Sequence, residues 1–107
     1  MKNMQNRKYS VKFTPIAMSD LDDIYMYIAV QLNNEISADG IINKIKGKVK
    51  QLEDFPLSAP LVQDYILQCK GYRMLVVDKY RIFYEVDDNL VIIMRILYGS
   101  RDYTEIL

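Results

Sequence analysis

The last third of the chain most restricts what it can become. Residues 72–77 read Tyr-Arg-Met-Leu-Val-Val, residues 80–86 Tyr-Arg-Ile-Phe-Tyr-Glu-Val, and residues 90–98 Leu-Val-Ile-Ile-Met-Arg-Ile-Leu-Tyr. Only Asp78-Lys79 and Asp87-Asp88-Asn89 separate them. β-Branched and aromatic runs with breaks this short leave no room for a helix between them, so the segment is expected to be a three-strand antiparallel meander. Alternation places Tyr80, Ile82, Tyr84 and Val86 on one face, and Arg81, Phe83 and Glu85 on the other. The third run is apolar on both faces except for Arg95, as an interior strand should be.

Everything upstream can be read as cover for one face of that meander. Residues 9–13 alternate, with Tyr9, Val11 and Phe13 on one side of a half-buried strand. Thr14-Pro15 then supplies an N-cap and a first helical residue. The helix they open carries Leu21, Ile24, Tyr25, Ile28 and Leu32 as one apolar stripe, with Asp20, Asp22 and Asp23 early, and Asn33-Asn34 ends it. Ser37 is the expected cap of a second helix whose stripe is Ile41, Ile42, Ile45, Val49 and Leu52. Phe55-Pro56 stops that helix, and residues 57–71 read as a loop with one apolar piece, Tyr65-Ile66-Leu67.

No repeat, linker or low-complexity tract interrupts the 107 residues, so one α+β domain is expected: an N-terminal strand, a helical hairpin, then the meander. Residues 1–8 are expected to fray. On the sheet face that the helices leave open, Arg95 opposite Glu85 or Arg81 would place charge, and a ligand is expected to sit there.

Several chemistries are excluded at once. The chain has no histidine and one cysteine, Cys69, which removes Ser-His-Asp and Cys-His catalysis, a Cys/His zinc site and any intramolecular disulfide. There is no Gly-rich phosphate loop and no obvious two-metal carboxylate cluster, so no cofactor and no metal are expected. Fourteen basic residues balance fourteen acidic ones, so no bulk charge draws the chain to nucleic acid. Residues 1–7 are polar, unlike a signal peptide, and the longest apolar run, residues 90–97, contains Arg95 and is too short to cross a membrane. A cytoplasmic setting is expected.

Arginine and tyrosine remain. Arg73, Arg81, Arg95 and Arg101 are interleaved with Tyr72, Tyr80, Tyr84, Tyr98 and Tyr103. Guanidinium forks bind phosphates and aromatic faces stack on bases. The alternative is structural: tyrosines packing the core and arginines paired with Asp78, Glu85, Asp87 and Asp102. Composition leaves both open.

The motifs go further. Thr14-Pro15, Asp20-Leu21 and residues 24–28, then Tyr72-Arg73-Met74-Leu75, Tyr80-Arg81-Ile82-Phe83-Tyr84 and the closing Gly99-Ser100-Arg101-Asp102-Tyr103, resemble the RelE/ParE superfamily of bacterial toxins from about Tyr9 onward. That resemblance implies a toxin of a type II toxin–antitoxin pair, held inactive by a cognate antitoxin. RelE-like members cut mRNA on the ribosome, without metal, by attack of a 2′-hydroxyl on the adjacent phosphate; ParE-like members bind and poison DNA gyrase. By position, Arg73, Arg81 and Arg101 fall where the nucleases place basic groups, and Tyr103 is nearest to their C-terminal tyrosine, which would fall at about Leu107. Leu75 stands where those nucleases carry a second lysine. The expectation is ribosome-dependent mRNA cleavage by Arg73, Arg81, Arg101 and Tyr103, with ribosome and mRNA as partners, against gyrase poisoning as the alternative and an inactive, antitoxin-binding toxin as a third.

Overall fold

Thr14 joins the first strand to the first helix. In the computed structural model, which describes residues 8–99, 103, 104, 106 and 107, strand β1 (Ser10–Phe13) leads directly into helix α1 (Pro15–Met26). Thr14 Oγ1 accepts the Ala17 N–H at 3.1 Å, and Pro15 fills a first-turn position that has no use for an N–H. A π-helical turn, Tyr27–Gln31, extends the helix, and Asn33 ends it at φ 51°, a left-handed conformation that asparagine tolerates. Helix α2 (Glu35–Lys50) starts from Asn34 rather than Ser37. The Asn34 Oδ1 accepts the Ser37 N–H at 3.0 Å, so the serine is the capped third residue, not the cap.

The sheet runs β1-β4-β3-β2, formed with β2 (Arg73–Val77), β3 (Tyr80–Asp87) and β4 (Leu90–Tyr98). β4 is interior, as its two apolar faces require, antiparallel to β3 and parallel to β1 in the register Ser10↔Leu90 to Phe13↔Ile93. Two-residue turns join the meander, each led by an aspartate at positive φ: Asp78 at 54° and Asp88 at 58°. The order is therefore the α+β plan of strand, helical hairpin and meander.

The helices bury Leu21, Ile45, Val49 and Leu52 against Tyr80, Ile82, Tyr84, Val91, Ile93 and Ile96 of the sheet. Ile45, Ile82, Tyr84, Val91 and Ile93 are wholly excluded from solvent. Burial of each such aliphatic side chain contributes about 1.5–3 kcal/mol relative to leaving it exposed.

Two further features depart from expectation. Residues 57–71 are not all loop: Tyr65–Cys69 form helix α3, with the Asp64 Oδ2 accepting the Leu67 N–H at 3.1 Å. Five residues are too few for helical periodicity to register in sequence. This segment and the chain's last residues close over the second sheet face, where Val62, Leu67, Tyr72, Phe83 and Leu97 form a second buried cluster against Met74, Met94, Tyr103, Ile106 and Leu107. The face expected to lie open is thus largely covered.

The other departure is a β-bulge. Phe83 pairs with Arg95 and Tyr84 with Ile93, so Met94 has no partner on β3. The extra residue breaks the simple alternation of β4. Arg95 consequently meets Asp20 of α1, and not Glu85 or Arg81.

Candidate functional site

Arg73 opens β2 opposite Tyr84, on the side of the sheet that carries the helices. Its Nη1 donates to the Ala59 carbonyl at 2.7 Å and reaches the Leu57 carbonyl at 3.4 Å, while the Tyr84 hydroxyl donates to the Pro56 carbonyl at 2.8 Å. The two cross-strand neighbours grip one loop. Burial raises the Tyr84 pKa above its ordinary 10.0, against the opposing pull of the Ala59 backbone and the Arg73 charge.

Arg81 lies on the opposite sheet face, paired in register with Val76 and Leu97, and its Nη1 contacts the Met74 sulfur at 3.6 Å. Together with Val76, Asp78, Lys79, Tyr98 and Gly99 it lines a recess of about 250 Å³ at the end of the β2–β3 hairpin. Tyr103 shares this face, its ring 4.7 Å from that of Phe83. Arg81 and Tyr103 are therefore on one side and Arg73 on the other. Arg101 lies outside the described residues.

A larger cavity lies elsewhere. A groove of about 1020 Å³ runs between the helical hairpin and the ends of β3 and β4. Ile24, Tyr27, Ile28, Leu32 and Ile41 form its helical wall, and Tyr80, Ile96 and Tyr98 its sheet wall. Tyr80 and Tyr98 meet edge to face with centroids 5.4 Å apart. Burial raises the Tyr80 pKa above 10.0, with smaller contributions from Tyr98, Tyr27 and Asp78.

At the base of the groove Arg95 Nε and Nη2 donate to Asp20 at 2.8 and 3.0 Å, and the Ile96 N–H donates to the same carboxylate at 2.9 Å. The hydrogen bond from Asp20 raises the Arg95 pKa, against the effect of burial. Thr14 completes the seam by donating its hydroxyl to the carbonyl of the bulged Met94 at 3.1 Å. The irregular stretch of β4 thus has its carbonyl satisfied from one end of α1 and its amide from the next turn.

Asp20 and the groove were missed as site elements by sequence reasoning. One signal was present: Ala17, Asp20, Leu21, Ile24 and Ile28 share one helical stripe, and a carboxylate within an apolar stripe requires a partner. Among the described residues no group of three or more His, Cys, Asp or Glu is placed to hold a metal ion, and no helix is long and apolar enough to cross a membrane.

A parallel β1–β4 pair, a meander and a helical hairpin on one face define the RelE/ParE class of toxin fold. Residues 11–103 match the family model described as the ParE toxin of the type II toxin-antitoxin system parDE. The chain belongs to that family. Its fold is similar to the chromosomal ParDE system of Pseudomonas aeruginosa, with TM-score 0.71, 23% identity, and coverage of 86% of this chain and 97% of that one. It is also similar to the toxin-antitoxin complex RelBE2 of Mycobacterium tuberculosis (TM-score 0.58, 21% identity, 85% and 98% covered). An Escherichia coli RelE mutant in the free state gives TM-score 0.61 at 14% identity, with 92% and 90% covered. No curated protein sequence matches the chain.

Proposed function

We propose that this toxin arrests growth by binding and poisoning DNA gyrase, without cutting RNA, and that a cognate antitoxin holds it inactive. The observation that carries this reading is the dispersal of the sheet arginines among the described residues. Phosphodiester cleavage without metal or histidine needs several basic groups converging on one phosphate. Here Arg73 binds loop carbonyls on one sheet face, Arg95 is held by Asp20, and Arg81 stands on the other face with Lys79 as its nearest cationic companion in the recess. Leu75, facing the helical core, adds no charge. The net charge of zero is likewise unlike a protein that must dock on ribosomal RNA. Membership of the ParE family favours the same reading, and the similar structures described as a ParDE system and a RelBE2 toxin-antitoxin complex support an antitoxin partner.

In this reading the recess bearing Arg81 and Lys79 contacts the target. The test is expression without antitoxin, scored separately for DNA synthesis and translation, alongside a supercoiling assay with purified gyrase. Early arrest of DNA synthesis with accumulated gyrase–DNA cleavage complexes is expected. Cut mRNA and early translational arrest, with gyrase unaffected, would replace it with the ribonuclease reading, in which Arg73, Arg81, Arg101 and Tyr103 act on RNA.

A further inference from the structure

The solvent face of α2 gathers charge of one sign. From Gly40 to Leu52 the chain holds Lys44, Lys46, Lys48 and Lys50 and no acidic residue. All four lysines are exposed, while Ile45 and Val49 between them are buried. At about 100° per residue, Lys44 and Lys48 stand one turn apart on one edge of that face, and Lys46 and Lys50 one turn apart on the other. The strip between the two rows is Gly40, Asn43 and Gly47, all exposed. Lys8 is exposed as well and adjoins the far end of the helix, where its neighbour Tyr9 donates its N–H to the Glu53 carbonyl at 2.9 Å.

Neither glycine of the strip is explained by the fold. Glycine inside a helix weakens it relative to alanine. A Cβ at Gly40 or Gly47 would meet nothing within 4 Å, and neither residue has a positive φ. Nothing within the chain uses the space they leave, whereas a partner lying close along the helix would. Among the described residues, residues 37–54 expose no large apolar side chain. Protein partners are anchored by buried aromatic and apolar groups, but a phosphate backbone is held by cations alone. Lys46 and Lys48 have no ion pair among the described residues. Lys44 meets Asp78 at 2.8 Å and Lys50 meets Glu53 at 3.6 Å, surface pairs of small worth that a phosphate can displace. Asp78 also lines the recess of Lys79 and Arg81, so the cations continue from that recess onto the helix.

We propose that this lysine ridge binds the phosphate backbone of duplex DNA, with the glycine strip against the phosphates and a row of lysines on either side. The choice of DNA rests on the gyrase reading, in which the toxin acts where gyrase holds a duplex. The chain's neutrality keeps its affinity for free nucleic acid low, and the ridge adds its contacts where the enzyme already presents DNA beside the Arg81 recess.

The experiment titrates the purified full-length chain onto a fluorescent DNA duplex of mixed sequence over a range of salt, read by anisotropy. Binding is expected at low salt, with log K falling against log salt at a slope of about −3.6 for four phosphate contacts. Lys46→Gln combined with Lys48→Gln breaks no ion pair seen here, and is expected to lower the slope by about two and the affinity by about tenfold or more. Gly47→Gln is expected to keep the helix by circular dichroism yet weaken binding several-fold, a loss that a merely structural glycine would not give. Lys12→Gln, the same change of charge at an exposed position on β1, is expected to alter neither quantity. With purified gyrase, the double lysine variant is expected to leave fewer cleavage complexes than the wild type. A wild type that does not bind the duplex, or a slope unchanged in the double variant, overturns the proposal. So does tighter binding to an RNA duplex of the same length. Lysine-dependent DNA binding by a wild type that leaves gyrase unaffected upholds the ridge and removes the gyrase reading alone.

Discussion

Asp20 and Arg95 lie 75 residues apart in sequence, and their two hydrogen bonds fasten the first helix to the one irregular stretch of the central strand. The same carboxylate accepts the Ile96 amide, so it serves a charge and a backbone donor together. Both side chains are mostly withdrawn from water, at 11% and 18% exposed for Asp20 and Arg95. Removing one partner would strand the other.

Asp20→Ala is therefore expected to destabilise the fold by about 2–3 kcal/mol, near the low end for a broken buried pair because Arg95 retains some solvent. Asp20→Asn keeps an acceptor for the Ile96 amide and should lose distinctly less. Urea unfolding measures both, with a fall in midpoint at unchanged slope. Equal losses for the two variants would mean that the charge contributes nothing.

Arg73→Ala is expected to act on the loop it grips. It removes charged donors from the Ala59 and Leu57 carbonyls, at a cost of about 1.5–3 kcal/mol. Amide exchange should accelerate first in residues 57–62, ahead of the core strands. Uniform acceleration across the sheet would show that the loop does not open as a unit.

The tyrosines set an alkaline limit. Burial raises Tyr84, Tyr80 and Tyr72 above 10.0 in the folded chain, so the unfolded chain gives up these protons first as pH rises. The stabilising contribution is complete below pH 10 and is lost as pH climbs from there toward the folded values. Tyr84→Phe should flatten that loss while costing about 1 kcal/mol at neutral pH for the missing hydrogen bond to Pro56. An unchanged slope above pH 10 in the variant would remove Tyr84 as a contributor.

Arg81→Ala separates fold from function. Arg81 is half-buried and makes one contact with the Met74 sulfur, so a loss no larger than about 1 kcal/mol is expected. Growth arrest should weaken while antitoxin still co-purifies. Full toxicity in this variant would take Arg81 out of the target surface.

Asp88→Gly should stabilise the chain. Asp88 stands at φ 58° in an exposed two-residue turn, a conformation glycine adopts without the steric cost borne by other residues. A gain of about 0.5 kcal/mol is expected in thermal or urea unfolding, and a loss would mean that the aspartate side chain supports the turn.

The α+β plan was legible because each of its long elements repeats its own period. Thr14-Pro15 marked the start of α1, the alternation of β3 placed Tyr80, Ile82 and Tyr84 in the core, and the double-faced apolarity of β4 put it inside the sheet. Legibility failed where a single residue or a short segment decided the outcome. The unpaired Met94 changed where Arg95 points, and nothing in a run of apolar residues announces a bulge. α3 spans less than two turns, so its cover over Phe83 could not be read from periodicity. At the site, Arg81 and Tyr103 fall on one face, whereas Arg73, eight residues before Arg81, falls on the other because strand parity depends on register. Arg101 lies outside the described residues.

The pairing of Ser10–Phe13 with Leu90–Ile93 ties the first strand of the fold to the last. During translation the opening strand must wait, unpaired, until the final strand has left the ribosome. A message truncated before the codons of β4 yields a polypeptide without the strand that both β1 and β3 pair with.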